Sequence, residues 1–416
     1  MYSVIARSPK ATWQSQCYKI ASLPVAVSRN DSMETHLKIE PSATVKMNGL
    51  ALEKKRAGIS VFNLSAGEAM MDTPSIIIDA AIRAMKDGKT HYTPSAGIPE
   101  LRSTASFWMN EWYGTQYSSD ETLVSCGGKF SVFALLQAYL QKGDEVIIAA
   151  PYWVSYASLV RLFGGVPIII ETSPTDGWKV HPEQLLTEYT EKTKMFILNN
   201  GSNPCGTLYT KEEVEALLRV AKEKNLFVIS DEVYSGLVYN DRPYVSAGSF
   251  FEYKQNLAVI QSCSKNFGMT GWRVGFLFAP KEVIDIVSML QSQSTTGTST
   301  VSQWAALAAL ENAKEIIPVI KTEMQTRRDF FVALFQKYFQ INIPVPPSAL
   351  YSFLPLEMFG TEKKSETFCL KLLEEGNVAS VPGSAFGQEG YVRFSFGERP
   401  EQIQKGIEVL AKWCRK

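Results

Sequence analysis

The chain has 416 residues, 45% hydrophobic and 20% charged, with Lys plus Arg and Asp plus Glu balanced at 42 each. That length exceeds what one hydrophobic core sustains, so a large and a smaller domain are expected in an ordinary globular protein. Balanced charge, the lack of a basic stripe and the lack of any apolar run of membrane-spanning length argue against nucleic-acid and membrane partners. Six cysteines without Cys-x-x-Cys spacing and only three histidines argue against a metal site and point to a reducing compartment.

Residues 1–32 carry Arg7, Lys10, Lys19 and Arg29, six serines and no acid before Asp31. This composition suits an organellar transit peptide, or a start codon placed too far upstream of Met33, and it is set aside as a leader. Residues 33–75 cannot form a core alone and are expected to pack on the C-terminal part. From Pro74 helical periodicity alternates with β-branched runs: helices over Ile76–Met85, Pro99–Tyr113 and Lys129–Leu140, strands over Thr122–Cys126 and Glu145–Ala149. Further strands are expected at Val166–Ile170, Met195–Asn199, Leu226–Ser230, Leu257–Gln261 and Arg273–Ala279, with helices Glu183–Tyr189 and Lys211–Lys224 between them. Such alternation predicts a largely parallel α/β sheet covered on both faces, in a large domain over 76–309. A long helical pattern over Thr300–Lys337 leads to strands at Ala349–Leu354, Val378–Pro382 and Tyr391–Phe396 and helices at Glu366–Glu375 and Pro400–Lys412. This mixed tail is expected to be a smaller α+β domain over 310–416.

The run Ser262-Cys263-Ser264-Lys265-Asn266-Phe267-Gly268-Met269-Thr270-Gly271-Trp272-Arg273-Val274-Gly275 places an amine, two hydroxyls and a guanidinium in a glycine-punctuated connection between two strands. That set suits a lysine attached to a cofactor beside a phosphate site. Ser125-Cys126-Gly127-Gly128-Lys129 joins a strand to a helix, and a glycine turn opening a helix aims free N–H groups at an anion. Asp231 follows an apolar strand and so projects at the carboxyl end of the sheet, where ligands of α/β proteins gather; a helix cap is the competing use of such a residue. In Asn199-Asn200-Gly201-Ser202-Asn203-Pro204-Cys205-Gly206 the Asn-Pro step biases Asn203 toward an extended conformation. Trp153 offers a broad face for stacking on an aromatic ligand, or for packing in the core. Arg393, in the alternating strand Tyr391-Val392-Arg393-Phe394-Ser395-Phe396, is a charge among apolar neighbours and calls for a buried anion.

The lysine run resembles the pyridoxal-phosphate attachment site of class I aminotransferases, Ser-x-Ser/Ala/Thr-Lys followed by Gly-x-Arg-x-Gly, with every fixed position filled. The resemblance spans about Met33 to Lys416 and implies a fold-type I pyridoxal-phosphate transferase acting on amino acids and 2-oxo acids as a homodimer. It implies that Lys265 is the attachment lysine and proton carrier, and that Asp231 pairs with the pyridine nitrogen. Asn203 and Tyr234 are then expected at the phenolic oxygen and Trp153 on the ring. Gly128, Lys129, Ser262, Ser264 and Arg273 are expected around the phosphate, together with Tyr92 from the neighbouring subunit. Arg393 would hold the substrate α-carboxylate, with Gly67, Trp153 and Asn203 also touching substrate. The Asn-Pro turn departs from the family in having Cys205 for Thr. Gly67-Glu68-Ala69-Met70-Met71-Asp72-Thr73-Pro74 keeps the family's glycine but replaces Pro-Asp-Phe at the entrance. Pro41-Ser42-Ala43-Thr44-Val45, Pro151-Tyr152-Trp153-Val154-Ser155-Tyr156 and Gln291-Ser292-Gln293-Ser294-Thr295-Thr296 look like the Ib subgroup of aspartate aminotransferases. There Thr44 and Lys129 would meet the distal carboxylate. The activity implied is ping-pong transfer from L-aspartate to 2-oxoglutarate; a prephenate or aromatic aminotransferase of the same subgroup is the alternative. A cytoplasmic location is expected, or an organellar one if residues 1–32 are a transit peptide.

Overall fold

The computed structural model describes residues 42–360 and 362–415, so the leader and residues 33–41 lie outside the described residues. Strand β1 is Phe62–Asn63, β2 Thr122–Ser125, β3 Glu145–Ala150, β4 Val166–Glu171, β5 Thr193–Asn199 and β6 Phe227–Asp231. They are followed by β7 Leu257–Ser262, β8 Gly275–Phe278, β9 Tyr351–Pro355, β10 Val378–Ala379, β11 Val381–Pro382 and β12 Tyr391–Ser395. Seven of these form one sheet in the order β2-β8-β7-β6-β5-β3-β4. Strands β3 to β7 are mutually parallel, whereas β8 runs antiparallel to both its neighbours β2 and β7. Consequently the carboxyl ends of β2, β3, β5, β6 and β7 and the start of β8 share one edge, the usual place for a ligand in such sheets.

The sheet is buried on both faces, as the β-branched runs predict. Along β7, Leu257 and Val259 belong to one apolar cluster and Ala258 and Ile260 to the other, which is the two-residue alternation of a strand between two helical layers. Most expected elements form within a residue or two of their predicted ends, and helix Pro99–Tyr113 matches at both. The long helical pattern after Thr300 is instead two helices, Thr300–Glu311 and Ala313–Phe339. They part at Asn312, whose amide turns back to donate to the Ala308 carbonyl at 2.8 Å.

Three further helices, Ala43–Arg56, Ser155–Leu162 and Lys281–Ser294, were not expected from periodicity. The first buries only Met47 and Ala51, too few positions to leave a pattern. Strand β1 pairs in parallel with β10, and β11-β12-β9 form a separate antiparallel sheet in which Arg393 lies opposite both Val381 and Phe353. Among the described residues no helix is long and apolar enough to cross a membrane.

Candidate active site

Lys265 lies in a single helical turn, Cys263–Asn266, where a loop was expected; Ser262 caps it by accepting from the Ser264 N–H at 3.1 Å. This turn starts directly from the end of β7, so the lysine stands at the ligand edge of the sheet. Its Nζ donates to the carbonyl oxygen of Gly67. The surrounding cavity holds about 420 Å³ and is lined by Thr44, Gly67, Gly128, Lys129, Trp153 and Asn203, and also by Asp231, Tyr234, Ser262, Ser264, Lys265, Arg273 and Arg393. Every residue singled out from the sequence is there except Tyr92, which is 94% exposed and outside this cavity.

Asp231 is the last residue of β6 and only 5% exposed. Tyr156 donates to its Oδ2 at 2.6 Å and the Val233 N–H to its Oδ1 at 3.4 Å. Burial nevertheless pushes its carboxyl up to about 6, because neither donor replaces the lost water. A cationic ring nitrogen beside it would favour the carboxylate. Asn199 ties the strand ends together, donating to the Asp231 carbonyl at 2.9 Å and accepting from the Asn203 N–H at 3.1 Å. The peptide bonds Asn203–Pro204 and Ala150–Pro151 are both cis.

The Gly127–Gly128 turn opens helix Gly128–Tyr139, with Gly127 at a φ of 83°. The positive φ calls for glycine at Gly127, whereas at Gly275 a side chain would run into the backbone of Gly127 and Gly128, so close approach demands glycine there. Arg273 donates to the Thr270 carbonyl at 2.8 Å. Ser262 Oγ lies 3.0 Å from Ser264 Oγ. Lys129 sits 4.9 Å from the centre of the Trp153 ring, and its pKa is lowered by burial and by nearby Arg273.

At the other end Arg393, 1% exposed, lies between the rings of Tyr351 and Phe386, 4.3 and 5.1 Å from their centres. It donates to Asn203 Oδ1 at 2.9 Å and to the Ser65 carbonyl at 2.6 Å, while its buried Nε has no partner. Among the described residues no carboxylate pairs with it, and burial lowers its pKa. A buried cation with an unused donor is costly unless an anionic ligand completes it. Four cations (Lys129, Lys265, Arg273 and Arg393) line the cavity against two acids, Glu68 and Asp231, so the site suits a ligand carrying several negative groups.

Tyr156, Tyr351 and Asn199 also line the cavity, and Glu232, next to Asp231 in sequence, is buried, although the sequence does not single them out for the site. Tyr351 shares a 2.6 Å hydrogen bond with Tyr234, whose hydroxyl burial pushes far above its ordinary value. Glu232 is fully buried behind Asp231, accepts from Ser230 Oγ and the Ala247 N–H, and is pushed by burial up to about 7. An acid directly after Asp231 was the one available signal, and it pointed equally to a surface position.

The family described as aminotransferase class I and II matches residues 59–410. The chain belongs to that family. It is 38% identical over 379 residues to an aspartate/prephenate aminotransferase of Thermus thermophilus, spanning 90% of this chain and 96% of that one. It is 37% identical to a bifunctional aspartate and glutamate/aspartate-prephenate aminotransferase of Petunia hybrida, over 90% of this chain and 81% of that protein. A solved structure of Thermus thermophilus aspartate aminotransferase with maleate superposes with a TM-score of 0.86 at 37% identity, covering 90% of this chain and 97% of that one. The fold is the α/β fold of the aminotransferases, and the activity is amino-group transfer.

Proposed function

We propose that the chain is a pyridoxal 5'-phosphate-dependent aminotransferase that moves the amino group of L-aspartate to 2-oxoglutarate by ping-pong turnover. The observation that carries this reading is one cavity with a lysine and a buried aspartate at the sheet edge and an uncompensated buried arginine facing them. The residues fit the cofactor: a glycine-opened helix, Ser262, Ser264 and Arg273 for the phosphate, the Trp153 face for the ring, and Asn203 and Tyr234 for the phenolic oxygen. When bound, the cofactor supplies an aldehyde that exchanges with the substrate amine and a protonated ring that takes up the electrons of the broken Cα–H bond.

Lys265 Nζ, as the free amine, would take up the proton from the substrate Cα and hold it as an ammonium. Asp231 keeps the ring nitrogen protonated, and Tyr156 fixes its carboxylate plane. Arg393 binds the α-carboxylate, while Lys129 and Thr44 meet the distal one. Aspartate aminotransferases with aspartate/prephenate activity among the relatives favour prephenate as a second amino acceptor. Within the fold we assign residues 33–75 to an N-terminal segment, 76–309 to a large cofactor-binding domain and 310–416 to a small domain.

A homodimer is proposed in which Tyr92 reaches the partner's phosphate site. Its support is the 94% exposure of Tyr92 and the exposed Ile76, Ile78, Ile82 and Met85 on the preceding helix. The proposed location is the cytoplasm. The test is kcat/KM for a panel of donors with 2-oxoglutarate, and with prephenate as acceptor. Aspartate should lead the donors by at least about tenfold over phenylalanine and alanine; a faster aromatic donor would replace this specificity with the aromatic alternative.

A further inference from the structure

We propose that Asn48 is a further specificity-determining residue, donating from Nδ2 to the distal carboxylate of the substrate; this rests on the dicarboxylate reading above. Asn48 lies one helical turn after Thr44 on helix Ala43–Arg56, and both side chains line the cavity.

The orientation of its amide follows from a chain of hydrogen bonds that begins at a group able only to donate. The backbone N–H of Ser65 meets Asn63 Oδ1 at 3.2 Å, and Ser65 Oγ meets the same atom at 2.6 Å. The other end of the Asn63 amide is therefore the NH2 group, which donates to Asn48 Oδ1 at 2.7 Å. Asn48 thus has its oxygen engaged. Its Nδ2, with two N–H groups, has no acceptor among the described residues, and Asn48 lines the cavity.

The same Ser65 accepts from Arg393 Nη2 through its carbonyl at 2.6 Å. One residue therefore anchors the arginine assigned to the α-carboxylate and, through its N–H, sets the polarity of Asn48. Asn63 does not line the cavity and acts as a positioning residue. With Lys129 supplying charge and Thr44 a hydroxyl, a fixed amide one turn away adds a neutral donor whose reach depends on where the second carboxylate ends.

The experiment uses the cofactor-loaded enzyme and measures binding, not turnover, with maleate as an unreactive dicarboxylate and 3-phenylpropionate as a monocarboxylate, by calorimetric titration. Asn48→Ala should lower the maleate to 3-phenylpropionate affinity ratio about tenfold, the loss of one hydrogen bond to a charged group. Asn63→Asp presents an acceptor to Asn48, which turns the Asn48 oxygen toward the cavity; the ratio should fall at least as far although no lining residue changes. Asn63→Ser provides a smaller perturbation should the buried aspartate impair folding, and it should lower the ratio by releasing the Asn48 amide. A ratio unchanged in Asn48→Ala and in the folded Asn63 variants overturns the role of Asn48 alone. A wild-type enzyme that binds maleate no better than 3-phenylpropionate overturns the dicarboxylate reading and this inference with it.

Discussion

At the Asp231 end of the cavity the functional side chains rise from one edge of one sheet, at the ends of β2, β5, β6 and β7 and the start of β8. At the Arg393 end they come from helix Ala43–Arg56, the turn at Ser65–Gly67 and β12, the last more than 300 residues from the other two in sequence and tied to the turn by hydrogen bonds such as Arg393 to Ser65. The sheet edge is held by ladders on both sides and by a core on both faces, so its geometry is insensitive to any one side chain. At the other end β12 is itself laddered to β9 and β11, but helix Ala43–Arg56 belongs to no sheet. Chemistry built on the first and recognition built on the second can therefore be altered separately, and mutations should divide along that line.

The largest expected effect is at the sheet edge. Lys265→Ala should lower kcat by about 10⁴-fold, the upper range for a positioned proton carrier, for every donor alike. Borohydride reduction followed by peptide mapping should label Lys265 in the wild type, and a label on another lysine would remove it from its role. Asp231→Asn should lower kcat by about 10²- to 10³-fold with cofactor saturating, again for all donors, because only the electron demand of the ring falls.

Asp231 also has a signature in stability. Its folded pKa is raised from 3.8 to about 6, and that of Glu232 from 4.5 to about 7. Both raised carboxyls resist ionisation in the fold, so the stability of their neutral forms is full below about pH 4 and is lost as pH rises through 6 and 7. Without cofactor the unfolding free energy should fall between pH 4 and 7.5, by on the order of 3 kcal/mol for each group. Denaturant titrations across that range should show the fall reduced in Asp231→Asn and in Glu232→Gln. A fall of unchanged size in both variants would remove these carboxyls as its source.

Effects on recognition of the distal carboxylate should be smaller and selective, although Lys129 itself follows the end of β2. Lys129→Met should cost about ten- to hundredfold in kcat/KM for aspartate and glutamate, the value of a charge-assisted hydrogen bond, with a much smaller change for alanine or phenylalanine. Equal losses on acidic and neutral donors would move Lys129 to the phosphate loop and blur the separation of the two ends.

The same contrast governs what the sequence discloses. The sheet-edge residues lie in short runs after apolar strands, so Asp231, Asn203 and Lys265 stand at readable offsets from elements that periodicity identifies. Arg393 is readable because a charge interrupts an alternating strand. Tyr156 and Tyr351 carry no such mark. Each is an aromatic residue among many, and each acquires its partner, Asp231 or Tyr234, only through tertiary contacts 75 and 117 residues away in sequence. Helix Ala43–Arg56 hides for a related reason: it fully buries only two side chains, Met47 and Ala51, so no apolar stripe announces Asn48. The reversal of β8 was equally invisible, since a buried strand reads the same in either direction.

The most direct test of the site as a whole is a single half-reaction. The purified, cofactor-loaded enzyme is mixed with L-aspartate in the absence of any 2-oxo acid, and the keto acid released is quantified. About one equivalent of oxaloacetate per subunit should form and then stop, and the enzyme, freed of aspartate, should afterwards convert about one equivalent of 2-oxoglutarate to glutamate. Oxaloacetate formed only when both substrates are present, or continuing release with free ammonia, would contradict amino-group storage in this cavity.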